Sequence, residues 1–194
     1  MDVYTPRSIV RRSVLTFVGI AGATAGLCVL FLSMRSIMDI GGVCASGNTP
    51  FEPRVQCPSG VPGLMVGSIF LGLLALGVYA VSAFEINLTL LAWPALFISL
   101  GFNFADYGIN PPDGFGEGVS VGWIVCAVVF FLMGGVPLVL GIAAVMRGYE
   151  SRVKNRNVRT YAIVLQLAGI ATGIYFGMQL FEWVTGSKVS LGFR

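Results

Sequence analysis

The chain has 194 residues, of which 56% are hydrophobic and 11% are charged, and its formal net charge is +3. Because a soluble domain carries about 25% charged residues and needs them for its polar coat, this composition excludes an ordinary water-soluble globule. The mean hydropathy of +0.84 and the long uncharged stretches suit a lipid bilayer, and so small a net charge gives no reason to expect a nucleic-acid partner.

Five apolar runs predict an all-α integral membrane bundle of five transmembrane helices, a single domain over residues 1–194. The predicted helices span about residues 14–34, 62–84, 88–105, 119–146 and 161–181. At about 1.5 Å per residue the first run covers roughly 31 Å, one hydrocarbon thickness. The third run is the shortest and ends before Asp106. The fourth is longer than a straight crossing needs and contains Pro137, so we expect tilt or a kink there.

The placement of Lys and Arg predicts the orientation of the five helices. The segment before the first helix carries three Arg, and the loop between the fourth and fifth helices carries five basic residues: Arg147, Arg152, Lys154, Arg156 and Arg159. With five crossings these two segments lie on the same side, and their excess of positive charge makes that side the cytoplasm. We therefore predict a plasma-membrane protein with a cytoplasmic N-terminus, whose C-terminus and loop 35–61 lie outside.

Two of the four cysteines, Cys44 and Cys57, lie in the predicted external loop 35–61. Thiols on the outer side meet an oxidising environment, and the turn-rich segment between these two permits a disulfide, which contributes about 3 kcal/mol in the loop-entropy model. We interpret the pair as a structural staple. A redox-active pair is the alternative, although the spacing is not C-x-x-C. Cys28 and Cys126 lie inside helices and are expected to be buried apolar thiols.

Glycines at helical spacing predict surfaces for helix packing. They recur every four residues in the fifth helix, and matching pairs occur in the first and second helices: Gly169, Gly173 and Gly177, then Gly22 and Gly26, then Gly63 and Gly67. Residues four apart share one helix face, and without side chains there a neighbouring helix can approach closely. The preferred interpretation is packing within one bundle, and the alternative is a seam for another subunit.

The predicted spans contain no charged residue at depth, which argues against proton relays and ion-coupled carriers. The deepest polar residues are the neutral Asn103, Gln166 and Gln179. Arg35 and Glu182 fall near the outer boundary, and we predict that they pair across the bundle. The alternative is that they are two independent interfacial charges.

The chain carries no recognisable catalytic constellation. It has no His, which removes the commonest metal ligand and the commonest general base. It also has no Walker, H-E-x-x-H, G-x-S-x-G or dinucleotide-binding motif. We therefore predict a protein that is not an enzyme and that holds neither a metal nor a cofactor.

Four short segments resemble a family of uncharacterised multi-pass membrane proteins of actinobacteria. They are Gly41-Gly42-Val43-Cys44-Ala45-Ser46-Gly47, Cys57-Pro58-Ser59-Gly60, Leu91-Ala92-Trp93-Pro94-Ala95-Leu96-Phe97 and Leu132-Met133-Gly134-Gly135-Val136-Pro137-Leu138. The resemblance covers Arg35 to about Met146. It implies a bacterial plasma membrane and an external loop disulfide, and it carries no activity.

Three functions from different classes fit these observations. The first is a non-enzymatic subunit or accessory protein, in contact with the lipid bilayer, that packs against other membrane subunits or against itself. The second is a small transport or channel component, in which an oligomer rather than a monomer builds a polar path from Asn103, Gln166 and Gln179. The third is a membrane thiol–disulfide oxidoreductase that uses Cys44 and Cys57. The glycine seams and the uncharged spans favour the first.

Overall fold

The computed structural model describes residues 6–40, 56–82, 91–111, 118–152 and 156–188, with the backbone alone for 6–8, 144–152 and 156–159. These residues form five α-helices and confirm the all-helical prediction. The helices are α1 (Pro6–Met38), α2 (Val61–Ser82), α3 (Ala92–Ile109), α4 (Val121–Arg152) and α5 (Arg156–Thr185). Loop residue Cys44 and basic-loop residue Lys154 lie outside the described residues.

Proline and glycine mark several helix ends. Pro6, Pro62 and Pro94 each lie in a first helical turn, where the missing N–H has no intrahelical partner to lose. Gly186 follows the last residue of α5 with a φ of 68°, and its N–H donates to the carbonyl of Glu182 at 2.9 Å. A glycine in the left-handed region directly after a helix is a common C-terminal cap, so the end of α5 is set locally.

Several helices run further than the apolar runs indicated. Helix α1 continues past Arg35 to Met38, and α3 continues past Asp106 to Ile109. Helices α4 and α5 extend through most of the predicted basic loop, so that Arg147 lies within α4. The apolar runs ended at charged residues, but a charged side chain does not by itself end a helix. Helix α4 also continues through Pro137.

Four of the helices are long and apolar enough to cross a membrane, and this indicates a membrane location. The stretches concerned are Ile9–Met38, Val61–Ser82, Val121–Ala143 and Thr160–Thr185. Helix α3 is not among them, because its 18 residues include the polar Asn103 and Asp106, which lower its mean hydropathy. Length and composition therefore support four of the five predicted spans.

Helix α1 lies at the centre of the described bundle. It packs along α2 and along α5, and it contacts α3 over a shorter stretch, whereas α4 packs on α3 and on no other helix within the described ranges. Helices α1, α2 and α5 share an apolar core at Leu32, Val61 and Phe181. The fold is therefore a three-helix unit (α1, α2 and α5) joined to an α3–α4 hairpin through the α1–α3 junction.

The contacts of the glycines give the relative directions of the helices in the three-helix unit. Along α5, Gly169 lies against Ile20 and Gly177 against Cys28, so α1 and α5 are parallel. Along α1, Gly19 lies against Tyr79 and Gly22 against Ala75, with Gly26 against Gly72, so α1 and α2 are antiparallel.

Glycine contacts also give the relative direction of the two helices in the α3–α4 hairpin. Gly101 lies against Phe131 and Gly108 against Ile124, so α3 and α4 are antiparallel. The C-terminal ends of α1 and α3 meet at Arg35 and Asp106. Helices α1, α3 and α5 thus bring their C-terminal ends to one side, and α2 and α4 run the other way.

The seam between α1 and α5 is the tightest of these contacts. A Cβ atom added at Gly173 would lie 1.9 Å from the Thr24 Oγ1 atom and 2.3 Å from the Ala21 carbonyl oxygen. Since the second atom belongs to the backbone, a rotamer change cannot relieve the clash. The glycine row of α5 therefore lies in the contact with α1, inside the bundle.

We expect Gly173→Ala to lower the free energy of unfolding by about 1–3 kcal/mol, the usual cost of overpacking. Gly67→Ala is the matched control, because a Cβ at Gly67 meets nothing within 4 Å and alanine is the better helix former. Both variants can be unfolded by heat or by a denaturing detergent in micelles. Equal stability of the two variants would contradict the seam.

Candidate functional site

The candidate site is the α1–α3 junction, where two charged side chains meet inside the bundle. The Arg35 Nη2 atom lies 2.7 Å from the Asp106 Oδ2 atom, and the side chains are 17% and 5% exposed. Removing two charges from water costs several kcal/mol each, which mutual attraction offsets only in good geometry. The sequence analysis predicted a pair between Arg35 and Glu182, whereas the structure places Arg35 against Asp106. The pair with Glu182 stays a prediction.

Tyr107 completes the junction beside this ion pair. Its hydroxyl lies in hydrogen-bond contact with the carboxylate of Asp39 and 3.2 Å from the carbonyl oxygen of Arg35. One O–H carries one proton, and donation to the carboxylate is the stronger choice because the acceptor is charged. The guanidinium carbon of Arg35 also lies 5.3 Å from the centre of the Tyr107 ring, within cation–π range.

Helix α4 supports the junction from the other side of α3. The Trp123 ring lies 5.7 Å from the ring of Tyr107, centre to centre, and the Ser120 N–H donates to the Gly108 carbonyl at 2.9 Å. A Cβ atom at Gly108 would lie 2.7 Å from the Ile124 Cδ1 atom. The start of α4 is therefore held against the last turn of α3, which fixes the ring of Tyr107 in place.

Asn103 lies one turn before Asp106 on α3 and is fully buried. Neither atom of its amide has a hydrogen-bond partner in the described part of the chain, and the same holds for the Asp106 Oδ2 atom. The 2.7 Å contact of that oxygen with Arg35 is an ion pair without the angles of a hydrogen bond. The Asn103 amide and the Asp106 carboxylate can therefore each form further hydrogen bonds at the junction.

Sequence reasoning missed this site because it ended the third helix at Ala105. Asn103, Asp106 and Tyr107 follow one another at i, i+3 and i+4, a spacing that places side chains on one helix face. Extending the helix by one turn would have shown the polar face. Asp106 is thus buried in the last turn of α3, and the expectation that no charged residue lies deep within the spans stays a prediction.

The predicted packing glycines divide into two groups. Gly22 and Gly26 contact α2, and Gly169, Gly173 and Gly177 contact α1. Gly63 and Gly67 of α2 differ, because a Cβ at either would meet nothing within 4 Å. These two face a groove of about 380 Å³, the α2–α5 groove, which is lined by Gly60, Gly63, Leu64, Gly67, Leu180 and Val184 among others.

A second apolar cleft lies on the other flank of α2, between α1, α2 and the N-terminal half of α3. It has a volume of about 300 Å³ and is lined by Gly26, Leu27, Ile69, Leu73, Trp93 and Leu96 among others. Helix α3 therefore contacts α1 at the charged junction, and the cleft separates the two helices near Trp93.

The cysteines are distributed over different elements. Cys28 is half-buried between α1 and α5, and its Sγ atom lies 3.7 Å from the carbonyl oxygen of Ile174. Cys126 is exposed on α4, so the expectation of a buried thiol is wrong for this residue. Because Cys44 lies outside the described residues, its pairing with Cys57 stays a prediction.

Metal-ligating side chains do not cluster in the described part of the chain. Within those ranges, no group of three or more His, Cys, Asp or Glu side chains is placed to hold a metal ion. Comparison of the chain with protein-family models, with curated proteins and with solved structures gives no match. The actinobacterial resemblance therefore stays a prediction, and the junction and the groove are the features that bear on function.

Replacing Arg35 with Met should lower the free energy of unfolding by about 3–5 kcal/mol, because it leaves the buried carboxylate of Asp106 uncompensated. The double variant Arg35→Met with Asp106→Leu should recover most of this loss, since both charges are then gone. Arg11→Met, at an exposed position of α1, is the control and should change stability by less than about 0.5 kcal/mol.

A double-mutant cycle in detergent micelles measures the coupling between the two side chains. If the losses from Arg35→Met and Asp106→Leu simply add in the double variant, the ion pair does not join α1 to α3.

Proposed function

We propose that the chain is a non-enzymatic integral membrane protein that crosses the membrane five times and acts as a subunit or accessory component of a membrane complex. Support for the fifth crossing comes from the helix directions, because α1, α3 and α5 alternate with α2 and α4. At about 1.5 Å per residue α3 is roughly 27 Å long, close to the hydrocarbon thickness. The contact with Arg35 reduces the cost of its one charged residue, Asp106.

The observation that carries the subunit role is the open α2–α5 groove. Within the bundle, atoms of the neighbouring helix occupy the space where a Cβ of Gly26 or Gly173 would lie. The corresponding space at Gly63 and Gly67 is open. In lipid, where hydrocarbon tails are as apolar as leucine, helix association depends on close packing at small residues. The groove supplies such a surface and leaves it uncovered.

A transmembrane helix of another subunit is the occupant that this groove fits best. Gly63 and Gly67 are four residues apart, which places them along one side of α2. The walls beside them, including Leu71, Leu180 and Val184, are aliphatic. A helix lying along this row can come as close as α5 comes to α1 at its own glycine row.

Filling the groove tests this role. Gly63→Leu with Gly67→Leu should leave the stability of the isolated chain unchanged within about 0.5 kcal/mol, because both positions are open, and should abolish association. Association is measured as the particle mass of the chain extracted from its native membrane in a gentle detergent. Val81→Leu, at an exposed position on the same helix, is the control and should keep the association.

Recovery of the unmodified chain as a lone monomer, with no second copy and no other protein, would count decisively against the subunit role. The same holds if the filled groove leaves the particle mass unchanged.

The orientation and the external staple belong to the same proposal. With the N-terminus in the cytoplasm, the C-terminal ends of α1 and α3 and the start of α2 lie outside, and so does Cys57. Cys28 and Cys126 are free thiols, which leaves Cys44 and Cys57 as the pair available for a disulfide. A staple there would tie the end of α1 to the start of α2.

We expect the two thiols of this loop to react with a membrane-impermeant maleimide on intact cells only after reduction. Cys28→Ala with Cys126→Ala in the background removes the two free thiols, so that the label reports on Cys44 and Cys57 alone. Cys44→Ser should lower stability by about 3 kcal/mol, the loop-closure contribution. Labelling without prior reduction would show that the two thiols are not joined in a disulfide. Labelling only in opened cells would show that the loop faces the cytoplasm, contrary to the proposed orientation.

The two alternative functions receive less support from the geometry. A polar path built by an oligomer was predicted from Asn103, Gln166 and Gln179, but Asn103 and Gln166 are buried within the chain, and of the three Gln179 alone is exposed. Asn103 and Gln166 lie on α3 and α5, which make no contact with each other in the described ranges. For thiol chemistry, Cys28 on α1 and Cys126 on α4 also lie on helices that do not touch there, so the described thiols provide no relay.

A further inference from the structure

We propose that the α1–α3 junction binds ordered water, held between the amide of Asn103 and the carboxylate of Asp106. The side-chain amide of Asn103 carries two N–H donors and one oxygen acceptor. The residue is 0% exposed, and neither amide atom has a partner among the described residues. Native interiors leave few such groups unsatisfied, and buried water is the usual partner where protein atoms are not.

The second observation is the carboxylate one turn away. Asn103 and Asp106 are three residues apart on α3, so they share a face and are separated by roughly 4.5 Å along the axis. The Asp106 Oδ2 atom also lacks a hydrogen-bond partner in the described chain. A buried water needs two to four polar partners. One that accepts from the Asn103 amide and donates to Asp106 finds two of them on this face.

The charge of the junction favours a neutral ligand over a cation. The Asp106 carboxylate is already compensated by Arg35 at 2.7 Å, so a metal cation beside it would be repelled by the guanidinium. Water is neutral and both donates and accepts, which matches an amide and a carboxylate together. The ligand that these residues select is therefore water.

The junction also provides a route to the aqueous phase. Tyr107 links the buried pair to Asp39, and Asp39 is exposed just beyond the end of α1. Asn103 lies six residues before the end of α3, roughly 9 Å along the helix axis. The hydrated site thus lies about two turns inside the bundle, at the end of a polar track that begins at its surface.

Magnetisation transfer from water in solid-state NMR tests the site directly. The full chain, labelled with 15N at asparagine and reconstituted in phosphatidylcholine bilayers, should show transfer from water protons to the side-chain amide of Asn103. The signal is assigned by its loss in Asn103→Leu or, if that variant does not fold, in Asn103→Ser. Absence of transfer to this amide would overturn the proposal.

Stability gives a second, independent readout. A water-bonded amide makes Asn103→Leu destabilising, with a fall of about 2–4 °C in the melting midpoint, whereas an amide without a partner makes the same change stabilising. A rise in the midpoint therefore contradicts the proposal. So does a shift of the unmodified chain's midpoint when Na⁺ is replaced by K⁺ or by N-methylglucamine, because that result would identify a cation.

Neither readout depends on the subunit role. The water site can fail while the filled α2–α5 groove still abolishes association, and the reverse is equally possible.

Discussion

The ion pair between Arg35 and Asp106 is the contact on which the arrangement of the two halves depends. Helices α1, α2 and α5 share glycine seams and an apolar core, and α3 and α4 share a row of aromatic contacts, but the two units meet at the α1–α3 junction. Along α1, the stretch that contacts α3 is short. A single ion pair therefore contributes a larger share of the interaction energy between the two units than it would in a broad apolar interface.

Close packing at glycine organises the rest of the bundle. Since the bilayer gives helices no hydrophobic reason to leave lipid for one another, dispersion contact at short range must supply the attraction. Helix α1 shows the result, because it presents Gly22 and Gly26 to α2 and receives the glycine row of α5 on another face. In the hairpin, bulky residues such as Phe131 lie against Gly101 in the same way.

The sequence allowed the number and class of helices to be predicted, because apolar runs of this length have one structural explanation. The partners of the charged residues could not be predicted in the same way. Asp106 was taken as the end of a helix because an isolated carboxylate does not belong inside a membrane span. Its place in the fold depends on Arg35, which lies far away in sequence. The spacing of Asn103, Asp106 and Tyr107 predicts a polar face on one helix. The contact with Arg35, which explains why that face can be buried, is visible only in the structure.

The same dependence explains why α3 falls outside the four helices that composition alone marks as spans. A carboxylate at the centre of a membrane helix costs about 2.5–3.5 kcal/mol on insertion scales, and the cost is lower near the end of the helix, where Asp106 lies. Pairing with Arg35 offsets part of this cost, and the ring of Tyr107 lies within cation–π range of the same guanidinium. The proposed fifth crossing therefore depends on α3 as a partner of α1, a contact that hydropathy does not take into account because it scores each helix alone.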